Sequence, residues 1–145
     1  MTNPTIAIVC GATTTTEHYA GLRAAFEAQG YPTVCANPPS ITHEDAASVT
    51  VDTDANFIRD QVLLPIVDSG EDVVLLMHSY GGVYGGVAVK RLSKREQLEL
   101  GKTGEVLGLI FIASFSTKVG ESAMDALASG EELANIIALV VCYNP

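Results

Sequence analysis

The 145-residue chain reads as an α/β protein, a parallel sheet of about four core strands with helices on both faces. Three observations predict it. Apolar runs at Thr5 to Cys10, Thr33 to Ala36, Asp72 to Met77 and Val106 to Ala113 recur along the chain. Between them lie segments whose apolar residues return at helical intervals, the alternation that right-handed crossovers turn into a parallel sheet. With 48% hydrophobic and 17% charged residues, the chain holds enough for one sizeable core, so residues 1–145 are read as a single domain.

Thr5 to Cys10, bounded by Gly11, suits a strand buried on both faces and is expected at the centre of the sheet. Thr14 and Glu17 have capping-box spacing ahead of Tyr19, Leu22, Ala25 and Phe26, which predicts a first helix closed by Gly30. Pro32 prevents its continuation, and Thr33 to Ala36 form a second strand beside the first. Ser40 to Val51 is polar and long enough for a mobile loop. Thr53 to Val67 is a helix expected to kink or end early at Pro65. The third strand reaches Met77, a turn follows at Ser79, and a helix runs from Gly81 to Leu92. Ser93 and Glu96 repeat the capping-box spacing, and Val106 to Ala113 is the fourth strand, placed at the far edge. Glu121 to Leu127 and Glu131 to Val141 are helix-like, although Ile136 to Val141 also suits a strand.

The formal net charge of -9 carries no basic block outside the stretch from Lys90 to Arg95, which excludes a phosphate-binding face and with it nucleic acid as partner. Ile136 to Val141 is far shorter than the roughly 20 residues that span a bilayer, so no membrane partner is expected. The start Met1-Thr2-Asn3-Pro4 lacks the basic and apolar segments of a secretion signal, and the three cysteines lack metal-ligand spacing. A cytoplasmic protein with neither metal nor cofactor is the expectation. The apolar run Leu107 to Ile112 would leave an open edge, so self-association through strand 106–113 is expected unless residues 131–141 fold over it.

The chemistry lies at His78-Ser79-Tyr80-Gly81-Gly82. A strand that stops on a serine and turns at once into a glycine-rich helix lifts the hydroxyl to the end of the sheet, while glycines at 81, 82, 85 and 86 allow close packing. The backbone N–H of Tyr80 then faces an oxyanion formed on a substrate at Ser79, and Gly11-Ala12, ending the first strand, offers a second donor. Met77 occupies the place of the first glycine in the G-x-S-x-G pattern.

Val9-Cys10-Gly11-Ala12, Glu17-His18-Tyr19, Gly30-Tyr31-Pro32-Thr33-Val34, Asn37-Pro38-Pro39-Ser40, the Ser79 turn and Ile112-Ala113-Ser114-Phe115 together resemble the α/β-hydrolase family. The resemblance is to its small esterase and hydroxynitrile-lyase-like branch, and it covers Thr5 to about Leu127. It implies a partial α/β-hydrolase fold, Ser79 as nucleophile, and the N–H groups of Tyr80 and Ala12 as oxyanion hole. It also implies a small-molecule ester or related ligand, with Gly11, His18 and His78 as pocket candidates. Cys10 stands where the family commonly has histidine, and Met77 replaces a small residue. The acid and histidine that the family carries after later strands have no counterpart here, so this short form is expected to have little or no activity.

His78 is expected to point away from Ser79, because successive side chains diverge at the turn. His18 opens the first helix at the same end of the sheet, and its plainer role is that of a helix-start residue. His43 lies in the polar loop. Asp45, Asp52 and Asp54 approach from a connection that does not carry the family's acid. Two functions therefore compete: a serine hydrolase of carboxylic esters, and a non-catalytic ligand-binding or interaction protein on the same fold. A nucleotide-binding domain fares worse, since the first loop lacks the later glycines and Asn37 stands where an acid would hold a ribose.

Overall fold

The computed structural model describes residues 3–114, 117–118, 120–128 and 140–143. Five strands, β1 (Thr5–Val9), β2 (Thr33–Ala36), β3 (Val73–His78), β4 (Val106–Ile112) and β5 (Val140–Tyr143), form one sheet in the order β2-β1-β3-β4-β5. The first four are parallel, with Ala7 opposite Val34 on one side and Leu75 on the other, and Leu75 opposite Leu109. β1 is an interior strand, between the edge strand β2 and the central β3, and all five of its apolar and β-branched residues are buried.

Side chains alternate across the strands, so each face of the sheet needs its own cover. Ile6, Ile8, Cys10 and Leu76 form one apolar layer with Tyr19, Leu22 and Phe26, the last two in helix α1 (Ala20–Ala28). Ala7, Val9, Leu75 and Met77 face the opposite way, onto Ala55, Ile58, Leu63 and Val67 and onto Tyr84 and Ala88. The sheet is therefore covered on both faces. Leu75 and Leu76, neighbours on β3, are buried on opposite sides, and each stabilises the fold by about 1.5–3 kcal/mol.

The first helix starts one residue later than its capping spacing predicts. Thr15, not Thr14, takes the capping position: its N–H donates to His18 Nδ1 at 3.0 Å, so a histidine replaces the expected glutamate. A 3-10 turn over Thr16–Tyr19 leads into α1, and Gly30, at φ +83°, ends the helical stretch in the left-handed conformation. The polar stretch after β2 is not a plain loop. It holds a short helix α2 (Pro39–Thr42) and a 3-10 turn at Ala46–Ser48.

Helix α3 (Val51–Ile58) begins two residues ahead of expectation because Thr50 caps it, its hydroxyl accepting from Thr53 N–H at 3.2 Å. The helical path continues through a π turn at Arg59–Leu63 into α4 (Leu64–Asp68). Pro65, with no N–H to donate and a ring that crowds the preceding turn, is met by that wider turn rather than by a break. Helix α5 (Gly81–Ala88) ends short of Leu92: tight turns follow, with Lys90 N–H donating to Val87 O at 3.3 Å and Leu92 N–H to Val89 O at 3.0 Å, and Arg91 adopts a left-handed φ of +62°. Then come α6 (Lys94–Glu99), with Ser93 Oγ donating to Glu96 at 2.6 Å, and α7 (Ala123–Ala128) after β4.

One expectation about the edge is corrected. β4 is not the last strand: β5 pairs antiparallel with Gly108 to Phe111, placing Val140 opposite Phe111. Val140 and Val141 are therefore strand rather than helix, while residues 131–139 of that helix-like segment lie outside the described residues. No helix among the described residues is long and apolar enough to cross a membrane.

Candidate active site

Ser79 immediately follows β3 with φ at +52°, a left-handed conformation that costs a non-glycine residue about 1–3 kcal/mol and that the surrounding bonds must impose. Those bonds are present. Ser79 N–H donates to Ile112 O at 3.1 Å, and its carbonyl accepts from Gly82 N–H at 3.2 Å and from the buried Ser114 hydroxyl at 2.5 Å. β4 and the start of α5 thus clamp the serine backbone from two sides.

Two glycines of α5 let it descend onto the sheet. A Cβ on Gly81 would lie 2.7 Å from Val9 O and 2.8 Å from Cys10 O, so only glycine lets the helix start against β1. A Cβ on Gly85 would lie 2.7 Å from Met77 Sδ. This explains how methionine stands in place of the expected small residue: the fully buried Met77 side chain fills the space that Gly85 leaves. Gly86, expected on the packed face, instead has nothing within 4 Å of its Cβ position. At the same end, Tyr84 donates to Cys10 O at 2.6 Å, and burial pushes its phenol well above the ordinary range.

The Gly11-Ala12 loop reaches the serine, and it is held by a side chain that periodicity presents only as apolar. Gly11 N–H donates to Tyr19 Oη at 2.9 Å, Thr14 Oγ1 lies 2.9 Å from the same oxygen, and His78 Nδ1 lies 2.8 Å from it. Proton counting fixes the directions. The Thr14 hydroxyl donates to Gly11 O at 2.8 Å, so Tyr19 must give its proton to Thr14 and accept from both Gly11 and His78. A Cβ on Gly11 would sit 2.8 Å from His78 Nδ1 and 3.1 Å from Ser79 Cβ. The loop and the serine turn therefore touch directly.

Among the described residues, the N–H groups of Tyr80 and Ala12 donate to no protein acceptor, and Ser79 Oγ makes no hydrogen bond. The His78 ring meets Tyr19 edge-on at 5.8 Å, on the α1 side of the sheet. His18 is exposed and its Nδ1 is engaged by Thr15, while His43 Nδ1 accepts from Asp45 N–H at 3.1 Å in the polar segment. Asp54 is almost fully buried. Its Oδ1 accepts from Ser40 N–H at 2.9 Å, tying α2 to α3, and among the described residues its Oδ2 has no partner. Burial, helped by the charge of Asp54, also raises the Tyr80 phenol.

A cavity of about 780 Å³ is lined by Gly82, Val83, Gly86 and Val87 of α5 and by Leu109 and Phe111 of β4, among others. Ser79, Gly11, His18 and His78 are not part of its lining. No spacing or motif marks Tyr19, Thr14 or Ser114 as holders of the site, because their roles depend on hydroxyl positions that only tertiary contact defines.

A serine in left-handed conformation at the end of a parallel strand, with a glycine-rich helix packed behind it and an approaching loop from β1, has the form of the strand–turn–helix unit that carries the nucleophile in α/β hydrolases. No family model matches the chain. It is 35% identical over 122 residues to the α/β hydrolase nvfD of Aspergillus novofumigatus, covering 84% of this chain and 47% of that protein. It is 30% identical over 128 residues to the probable hydrolase R7 of a Phoma species, covering 88% and 49%. A crystal structure of a mutant polyneuridine aldehyde esterase superposes with a TM-score of 0.67 at 16% identity, over 90% of this chain and 48% of that one. These likenesses support an α/β-hydrolase family for the chain, which spans about half the length of the curated relatives it matches.

Proposed function

We propose that this chain carries the nucleophile half of a serine hydrolase acting on a small carboxylic ester. Ser79 is the nucleophile, and the N–H groups of Tyr80 and Ala12 stabilise the tetrahedral oxyanion. The observation that carries this reading is the φ of +52° at Ser79, held by Ile112, Gly82 and Ser114. The unused N–H groups of Tyr80 and Ala12 support the oxyanion role, since a donor reserved for a transient charge has no ground-state partner. The ester then binds in the space above Gly11, with His78 and His18 at its margin.

In this chemistry a base takes the proton of the serine as it attacks the carbonyl. Among the described residues no histidine or carboxylate hydrogen-bonds Ser79 Oγ, so the hydroxyl keeps its proton at neutral pH. The chain alone therefore retains only what binding and oxyanion stabilisation supply, roughly 10³ to 10⁴ over water in serine enzymes stripped of triad members. The absence of such a base among the described residues favours, as the second reading, a protein that binds esters without cleaving them. The unbonded thiols of Cys10 and Cys35 suit a reducing compartment, and the reading places the protein in the cytoplasm.

Hydrolysis of a short-chain nitrophenyl ester by the parent and by Ser79→Ala tests this. Slow turnover that disappears in the variant is the expected result. Turnover equal in both supports the binding protein. Brisk turnover lost in Ser79→Ala would show that a base lies within the chain, with His18 and His78 the first to replace.

A further inference from the structure

Two sulfurs meet at the edge of the described site. Cys10, the first residue past β1, and Cys35, in β2, have their Sγ atoms 3.6 Å apart. Cys10 is fully buried, whereas Cys35 is partly open to solvent. Neither is explained by the hydrolase reading, which uses no thiol. We propose that Cys10 and Cys35 form a reversible oxidation site, in which a hydroperoxide oxidises Cys35 and Cys10 resolves it to a disulfide.

The geometry assigns different roles to the two thiols. Only Cys35 is reachable from solvent, and Arg23 lies beside it, held over β2 by a 3.1 Å hydrogen bond from its Nε to Thr33 Oγ1. The hydrogen bond from Cys10, followed by the Arg23 charge, lowers the Cys35 thiol below its ordinary value, as suits an attacking sulfur. The hydrogen bond to Cys35 and burial push the Cys10 thiol up, so it stays protonated until a leaving group is at hand.

The chemistry balances without a further reactant. The Cys35 thiolate attacks a peroxide oxygen: the S–O bond forms, the O–O bond breaks, and hydroxide or alkoxide leaves, giving a sulfenic acid. The Cys10 thiol loses its proton to that base, and its sulfur attacks the Cys35 sulfur. The S–S bond forms, the S–O bond breaks, and hydroxide leaves and takes up the proton that Cys35 gave to solvent on becoming the thiolate, so that water is the second product. The hydroperoxide is reduced by two electrons, and the two sulfurs lose one each.

Strand register makes this disulfide a switch rather than a permanent staple. Ile8, not Cys10, lies opposite Cys35, so Cys10 is two residues further along the same face. Bringing the sulfurs from 3.6 Å to the bonding distance of about 2.05 Å draws the end of β1 toward β2. That end carries Gly11 and Ala12, and the Cys10 carbonyl accepts from Tyr84. The oxidised form therefore shifts the loop beside Ser79, and a bond made against that resistance is readily reduced.

The test uses the full chain, reduced and then exposed to a small excess of hydrogen peroxide. Intact mass and non-reducing peptide mapping follow, with Cys142→Ser as a matched background. The expected result is loss of two hydrogens, a cross-linked peptide pair containing Cys10 and Cys35, and full reversal by millimolar dithiothreitol. Cys10→Ser should instead accumulate added oxygen on Cys35. Three results would overturn the proposal: oxygen added to Cys35 of the parent without a cross-link, a cross-link that involves Cys142, or three thiols still titratable after treatment. Because mapping of the parent is decisive alone, a serine variant that fails to fold does not remove the test. The readout is also independent of whether Ser79 turns over ester.

Discussion

Replacing Tyr19 with phenylalanine removes one oxygen and should loosen the whole loop beside Ser79. The buried hydroxyl accepts from Gly11 N–H at 2.9 Å, accepts from His78 Nδ1 at 2.8 Å and donates to Thr14 at 2.9 Å. Thr14 keeps a partner in Gly11 O, and His78 is only half-buried, so water can compensate both. Gly11 N–H is buried with no alternative acceptor among the described residues, and leaving such a donor unpaired costs about 1–3 kcal/mol. Taking about 2 kcal/mol, and about 2–4 °C per kcal/mol for a domain of this size, Tyr19→Phe should lower Tm by about 4–8 °C. Amide hydrogen exchange at Gly11 should quicken in parallel. Tyr31→Phe is the control, because the Tyr31 hydroxyl makes no hydrogen bond among the described residues, and its change should stay within about 0.5 kcal/mol. A Tyr19→Phe protein as stable as the control, with Gly11 exchange unchanged, would refute the reasoning that this hydroxyl holds the loop.

Gly85→Ala should destabilise by about 1–3 kcal/mol, because its Cβ meets Met77 Sδ at 2.7 Å; a smaller residue at 77 should recover much of that loss, and purely additive costs in the double variant would contradict the contact. Above pH 10, stability should fall as pH rises. The unfolded chain releases the Tyr84 proton near its ordinary value while the folded chain still holds it, a slope of up to about 1.4 kcal/mol per pH unit from this group. Denaturant melts between pH 9 and 11 should show a shallower slope in Tyr84→Phe, and equal slopes would remove Tyr84 as the cause. Val141→Pro should weaken the pairing of β5 with Ile110 and uncover the edge of β4, giving concentration-dependent association by light scattering; a variant that stays as monodisperse as the parent argues against edge pairing as the route.

Much of the fold was legible because strand and helix periods differ and each apolar run fits only one of them. β1, β2 and β3 lie within one residue of their expected bounds, and the Ser79 turn sits where strand and glycines meet. What the sequence leaves unmarked depends on contacts rather than period. His18 takes the glutamate position for the first helix, so the usual spacing misplaces its start, and Thr50 and Thr53 form a capping box with threonine in that position, which the apolar period does not mark. Ile136 to Val141, whose last two residues enter β5, is ambiguous because a short apolar run suits either state until a neighbouring edge decides. The roles of Gly81 and Gly85 were foreseen as close packing, but the fit of Met77 into the gap at Gly85 was not, since sequence carries no volumes across a helix and a strand.

The central claim is that Ser79 is displayed as a nucleophile beside two unused N–H donors. A fluorophosphonate probe tests it most directly, because its phosphoryl oxygen needs those donors and its phosphorus takes the serine oxygen. Incubation of the full chain with excess probe, followed by peptide mapping, should give a slow single adduct on Ser79. The adduct should be lost in Ser79→Ala and retained in His43→Ala, whose ring lies in the polar segment away from the turn. No adduct after prolonged exposure, or an adduct on another residue that persists in Ser79→Ala, would contradict the account.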